Sequence, residues 1–63
     1  MEIIDQQNNR VLLSLSFEEV AALSNALNES LEHLEEWEFE TRMGVSQSLV
    51  KTLLEKFVEI RLV

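Results

Sequence analysis

The stretch Leu15-Ser16-Phe17-Glu18-Glu19-Val20 carries the clearest local folding signal in this 63-residue sequence. The Ser16 hydroxyl can accept a hydrogen bond from the backbone N–H of Glu19, and the Glu19 carboxylate can accept one from the backbone N–H of Ser16. This reciprocal pair is a capping box. Leu15 and Val20 occupy the two positions of a hydrophobic staple, which sets the angle at which the chain enters the helix. A helix is therefore predicted to begin directly after Ser16.

Two helices are predicted downstream of this signal. The first carries an apolar stripe at helical spacing, formed by Val20, Leu23, Leu27, Leu31 and Leu34. The second is predicted to begin after the N-cap Ser46 and to run to about Val58, with Val45 and Val50 as its staple. Residues 37–43 between them are predicted to be a short helical or irregular segment. Gly44, the only glycine, suits the left-handed position that ends such a segment.

A β-hairpin is predicted upstream of the signal. Residues 2–5 and 11–15 are rich in side chains that suit a pleated strand, and the polar residues 6–10 between them include Asn8 and Asn9. Asparagine tolerates the positive φ that hairpin turns require. Val11, Leu13 and Leu15 share one face, which is predicted to pack on the helices. The fold class is therefore α+β: a single domain over 1–63 with an N-terminal hairpin packed on two amphipathic helices.

The size of the chain predicts self-association. Apolar burial in a folded chain of 7.3 kDa contributes about 90 kcal/mol, and ordering 63 residues costs a similar amount. Disulfides are excluded because the sequence has no cysteine, and a zinc cluster because it also has a single histidine. A homodimer is therefore expected. Its interface patch is predicted at Trp37, Phe39, Met43, Ile60 and Leu62, although the first three could instead close the core where the helices meet.

The charge distribution is one-sided. The net charge is −7, and residues 11–41 contain eight acids without a single lysine or arginine. This balance disfavours nucleic acids and anionic membranes as ligands. The longest apolar run has four residues, so no membrane span is expected, and a cytoplasmic location is predicted. The acids either form a solvated surface or dock a basic protein partner. The docking surface is predicted at Glu29, Glu32, Glu36 and Glu40.

An enzyme is not predicted. The sequence has one histidine, no cysteine, no tyrosine and no glycine-rich loop, so no catalytic residue and no cofactor is assigned. Two other functions are compatible with particular residues. A divalent cation or small ligand could bind Glu29, His33 and Glu36, which are spaced i, i+4 and i+7 on a helix. A helix-turn-helix around Gly44 would present Gln47, Ser48 and Lys51 to nucleic acid, against the negative net charge.

Three segments of the sequence resemble a group of short bacterial proteins of unknown function. These segments are residues 16–19, residues 25–29 (Asn-Ala-Leu-Asn-Glu) and residues 38–46, in which Glu-Phe-Glu-Thr-Arg is followed by a hydrophobic residue, Gly44 and a serine cap. The resemblance spans roughly residues 15–54 and implies a small, cytosolic, non-enzymatic bacterial protein. Together with the charge pattern, it predicts a regulatory or immunity-type interaction module.

Overall fold

The computed structural model describes residues 1–60. A β-hairpin is followed by helices, which confirms the predicted α+β class and the order of the elements. The bounds are β1 Glu2–Gln7, β2 Arg10–Ser14, α1 Phe17–His33, α2 Glu36–Met43 and α3 Gln47–Val58. The segment predicted as short helical or irregular forms the helix α2.

Helix α1 begins as its capping box predicts. The backbone N–H of Glu19 donates to Ser16 Oγ at 3.1 Å, and the backbone N–H of Ser16 donates to Glu19 Oε1 at 2.9 Å. Both staple residues also turn inward, since Leu15 is half-buried and Val20 is buried. The Glu19 carboxylate accepts a further hydrogen bond from the Met1 ammonium, which precedes β1. The first turn of α1 therefore holds both ends of the hairpin.

Helix α1 ends earlier than its charge pattern suggested. Leu34 has an extended backbone, with φ −93° and ψ 132°, although its N–H still donates to the Ser30 carbonyl. Glu35 is extended as well and serves as the N-cap of α2. Glu36 therefore belongs to α2, and the expectation that it shares a helix face with Glu29 and His33 is wrong. Neither a glycine nor a proline marks this break, so the sequence carries no local signal for it.

The two remaining helix boundaries agree with the predictions. Gly44 closes α2 in the left-handed region, with φ 77° and ψ 0°, and its N–H donates to the Glu40 carbonyl at 2.8 Å. Most residues with a Cβ adopt this conformation only with strain, so glycine is the favoured residue at this position. Ser46 then caps α3, accepting from the backbone N–H of Leu49 at 3.2 Å.

The hairpin is antiparallel and carries one irregularity. Gln7 pairs with Arg10 across the turn, and Ile3 pairs with Leu13 nearer the open end. Asn9 in the turn has φ 65°, as expected, whereas Asn8 does not adopt a positive φ. The register shifts between Ile3 and Asp5, so β1 bulges at this point whereas β2 runs regularly.

The hairpin does not bury its apolar face on the helices, and this part of the sequence-based interpretation is wrong. Every residue of β1 and β2 is exposed, including Ile3, Val11 and Leu13, which the register places on one face. Only Leu15, which follows β2, is half-buried. The reason is that α1 and α3 pack against each other, so their buried residues already have a partner within the helical layer.

The core is small and comes from the helices. Its buried residues are Val20 from α1, Phe39 from α2 and Val50 from α3, at 4 %, 1 % and 1 % exposure. Helix α3 lies between the other two, since it packs against both α1 and α2. Because α3 carries a broad apolar stripe, part of it stays outside this core: Leu49 and Leu53 are exposed.

The molecule is thin and open. Its principal extents are 35 × 33 × 15 Å, so one dimension corresponds to little more than a single layer of helix. The radius of gyration is 13.0 Å, whereas a compact domain of this length has about 10.6 Å. The accessible surface is 5438 Å², against about 4,200 Å² expected for a folded monomer of this mass. The chain thus leaves about 1,200 Å² more surface exposed than compact monomers do.

Replacing Ser16 with alanine tests the cap. Ser16→Ala should lower the free energy of unfolding by about 1 kcal/mol, because the Glu19 N–H loses its acceptor at the start of α1. Urea unfolding followed by circular dichroism measures the change. Ser24→Ala, within α1, is the control and should be neutral or slightly stabilising, because alanine is the better helix former. An equal loss in both variants would contradict this role of Ser16.

The stability of the chain should depend on Glu19 at acidic pH. The Met1 ammonium and the Ser16 backbone N–H lower the pKa of Glu19 from 4.5 to about 2. The unfolded chain therefore takes up this proton at higher pH than the folded chain does. The contribution of Glu19 is complete above pH 4.5 and is lost as the pH falls towards 2.

Urea unfolding across this pH range checks the expectation. Glu19→Gln should be less stable than the wild type near neutral pH, and the difference should shrink as the pH approaches 2. The control Glu18→Gln removes an exposed carboxylate from the same helical turn and should leave most of the acid dependence in place. Parallel pH profiles of the wild type and Glu19→Gln would refute this linkage.

Candidate interaction surfaces

The four acids of the predicted docking surface are all exposed, but they lie on two helices. Glu29 and Glu32 lie near the end of α1, one helical turn apart. Glu36 and Glu40 lie one turn apart on α2. The extended residues 34 and 35 separate the two pairs. The structure therefore presents two adjacent acidic pairs in place of one continuous helix face.

Within residues 1–60, one of these four acids has a basic side chain beside it: His33 Nε2 lies 2.8 Å from Glu29 Oε2. Elsewhere on α2, Arg42 Nε lies 3.0 Å from Glu38 Oε1. The Arg42 pair agrees with the i,i+4 spacing in the sequence. Three of the four predicted docking residues have no ion pair within residues 1–60: Glu32, Glu36 and Glu40. Glu32 accepts a hydrogen bond from Asn28 Nδ2 at 3.3 Å, and all three side chains are exposed, so a partner can reach them from solvent.

The predicted cation site is not assembled as expected. One potential ligand atom from each of Glu29, Glu32 and His33 lies within 4.8 Å of the others, and all three residues are exposed. Glu36, which the sequence pattern placed in this set, begins the next helix. The cluster comes from consecutive turns of one helix, whereas metal sites in helical proteins collect their ligands from several helices.

The start of α3 offers little to nucleic acid. Gln47 is half-buried, and the Ser48 hydroxyl lies 3.2 Å from the hydroxyl of the N-cap Ser46. Lys51 is the exposed cation in the first half of this helix. Helix-turn-helix proteins that bind DNA place several basic and polar side chains at the start of the second helix, whereas Lys51 is the basic residue here.

The predicted dimer patch divides between the core and the surface. Phe39 is buried at 1 % exposure, so its assignment to an exposed patch is wrong. Trp37, two residues earlier, is 82 % exposed, because a helical step of two places it on the far side of α2. Met43 is half-buried and Ile60 is exposed. Leu62 lies outside the described residues.

A larger exposed apolar surface, on the hairpin, was not predicted from the sequence. The hairpin exposes Ile3, Ile4, Val11, Leu12 and Leu13, each by 42 % or more. Because Ile3 and Ile4 are adjacent and Val11 to Leu13 are consecutive, the hairpin is apolar on both faces, but the sequence cannot tell whether the cover for either face comes from the same chain or from another. The small size of the chain could have indicated that the cover comes from another chain. A two-stranded hairpin is marginally stable unless something packs on it, and a short chain has few residues to provide that packing.

None of the helices in residues 1–60 combines the length and the apolar composition needed to cross a lipid bilayer.

Alanine substitutions distinguish the core aromatic residue from the surface one. Phe39→Ala should lower the free energy of unfolding by about 3–5 kcal/mol, enough to unfold a domain of this size, because it empties the centre of the core. Trp37→Ala should change it by less than about 0.5 kcal/mol, because its side chain is mostly in water. Circular dichroism and thermal unfolding measure both. Similar losses in the two variants would contradict the assignment.

Comparison of the chain with protein-family models, with curated proteins and with solved structures found no match. The resemblance of residues 15–54 to a group of short bacterial proteins therefore stays a prediction.

Proposed function

We propose that this chain is a small, non-enzymatic protein-interaction module of the cytoplasm. It acts as a homodimer and docks a basic surface of another protein through Glu29, Glu32, Glu36 and Glu40. This role is of the regulatory or immunity type, in which a small acidic protein occupies the cationic surface of a larger one.

The observation that carries this proposal is the one-sided charge of α1 and of α2 as far as Thr41. Residues 11–41 contain eight acids and no lysine or arginine. The four proposed docking residues are exposed, and three of them have no ion pair within the described part of the chain. A concentration of one charge sign accelerates encounter with an oppositely charged partner and repels partners of the same sign.

Support for the homodimer comes from the shape of the chain. Domains are normally built from at least two packed layers, whereas this molecule is 15 Å thick and buries one residue from each helix. Its surplus surface of about 1,200 Å² exceeds the roughly 800 Å² that each partner contributes to a standard interface. A second copy would cover part of this surplus surface.

Neutralising the acids that lack an ion pair tests the docking role. The triple variant Glu32→Gln, Glu36→Gln and Glu40→Gln removes three charges from this surface. The matched control Glu2→Gln, Glu55→Gln and Glu59→Gln removes three exposed acids elsewhere. Affinity capture from a native lysate identifies a basic partner, and stopped-flow or surface-plasmon measurements then give its association rate at low and moderate salt.

The docking variant should associate about ten-fold more slowly than the wild type at low salt, and its rate should depend less on ionic strength. The control variant should stay within about two-fold of the wild type. Equal losses in the two variants, or a wild-type rate that does not change with salt, would rule out docking through this surface.

A further inference from the structure

The two edges of the hairpin differ in a way that points to its partner. The β1 edge carries Glu2 and Asp5 and is distorted by the register shift next to Ile4. The β2 edge, Arg10–Ser14, has no acid and no bulge. Charged side chains and bulges are among the features by which proteins prevent exposed strands from pairing. Strand β2 has no bulge, and its one charge, Arg10, lies at the turn, so its residues Val11–Ser14 are the edge open to another strand.

The backbone groups available on β2 follow from the register. Gln7 and Arg10 flank a two-residue turn, so they form a hydrogen-bonded pair. Such pairs alternate with non-hydrogen-bonded ones along an antiparallel ladder. The N–H and C=O groups of Val11 and Leu13 therefore point away from β1. Backbone groups of this kind pair with another strand whenever water is excluded from them.

We propose that β2 pairs antiparallel with β2 of a second copy of this chain, centred on Leu12, to give a four-stranded sheet. In this register Leu12 lies opposite Leu12 of the second copy, and Val11 lies opposite Leu13. The outward backbone groups of both copies then meet as hydrogen-bonded pairs. This inference rests on the proposed homodimer and names its interface; it does not depend on the acidic docking surface.

A second copy fits this edge better than an unrelated strand does. About the central Leu12, the sequence Arg10-Val11-Leu12-Leu13-Ser14 places apolar residues opposite apolar residues and Arg10 opposite Ser14. No like charges face each other. The hairpin contains two acids and one arginine and is thus nearly neutral, whereas residues 11–41 carry eight acids. Two copies therefore meet with less repulsion at their hairpins than at the acidic helix α1.

The pairing also joins the exposed hairpin faces. Residues directly opposite in a ladder point to the same side, so Ile3, Val11 and Leu13 of both copies would form one continuous apolar face. A four-stranded sheet with an apolar face is stable where an isolated hairpin is marginal. The pairing thus covers part of the surplus surface along the β2 edge, while the joined apolar face stays exposed.

Two charge substitutions of equal exposure test the location. Leu12 and Ile4 are each 59 % exposed, one on β2 and the other at the β1 bulge. Leu12→Lys places two ammonium groups opposite each other across the proposed axis and should raise the dimer dissociation constant at least about ten-fold. Ile4→Lys should leave it within about two-fold. Sedimentation equilibrium at micromolar concentration gives the constants, and circular dichroism verifies that both variants fold.

Because the sequence has no cysteine, single-cysteine variants give an independent readout. Across a non-hydrogen-bonded pair the Cα atoms lie about 4.5 Å apart, within the range that a disulfide spans. Leu12→Cys should form a disulfide-linked dimer under mild oxidation at least about ten-fold faster than Ile4→Cys or Trp37→Cys. Faster linkage at Trp37, or equal rates at all three positions, overturns the β2 interface.

The outcomes separate the proposals. If the wild type is still monomeric at about 100 μM, both the homodimer and its interface are overturned. A wild-type dimer that survives Leu12→Lys unchanged overturns the β2 edge alone. Loss of dimer in Leu12→Lys but not in Ile4→Lys supports the edge. The acidic docking surface is judged separately, by the salt dependence of its own variants.

Discussion

The carboxylate of Glu19 is the interaction on which the arrangement of this chain depends. It accepts hydrogen bonds from the Met1 ammonium, just before β1, and from the backbone N–H of Ser16, just after β2. Both ends of the hairpin therefore converge on the first turn of α1. The hairpin has no covered face to hold it in place, so this polar junction and the half-buried Leu15 connect it to the helices. A short polar junction thus takes the position that a hydrophobic interface occupies in larger α+β domains.

Local signals predicted most of the element boundaries. The caps at Ser16 and Ser46, the asparagine turn and the glycine at 44 each satisfy a backbone requirement that only a few residue types meet. The break between α1 and α2 has no such signal, because Leu34 and Glu35 are ordinary helix residues that become extended through tertiary context. Because of this break, Glu36 does not share a helix face with Glu29 and His33, and the four docking acids lie on two helices.

Tertiary placement was harder to predict than local structure. Trp37 and Phe39 are equally apolar, and spacing alone shows that they point in different directions without showing which one faces α3. The hairpin presents the same difficulty at larger scale: its apolar residues predict a face packed on the helices, whereas the exposed side chains show that the helices of this chain do not cover it. The break between α1 and α2 does not change the exposure of the acids. All four proposed docking residues are exposed, although they lie on two helices.

The bulge next to Ile4 has a consequence for the size of any assembly. In the proposed pairing, both β2 strands lie at the centre of the sheet, and the two outer edges are β1 strands, each with a distorted register and two acids. A further copy would meet an edge that cannot continue the ladder. The outer β1 strands therefore end the sheet, and the association closes as a two-fold pair. A hairpin with two regular edges would instead polymerise into fibres.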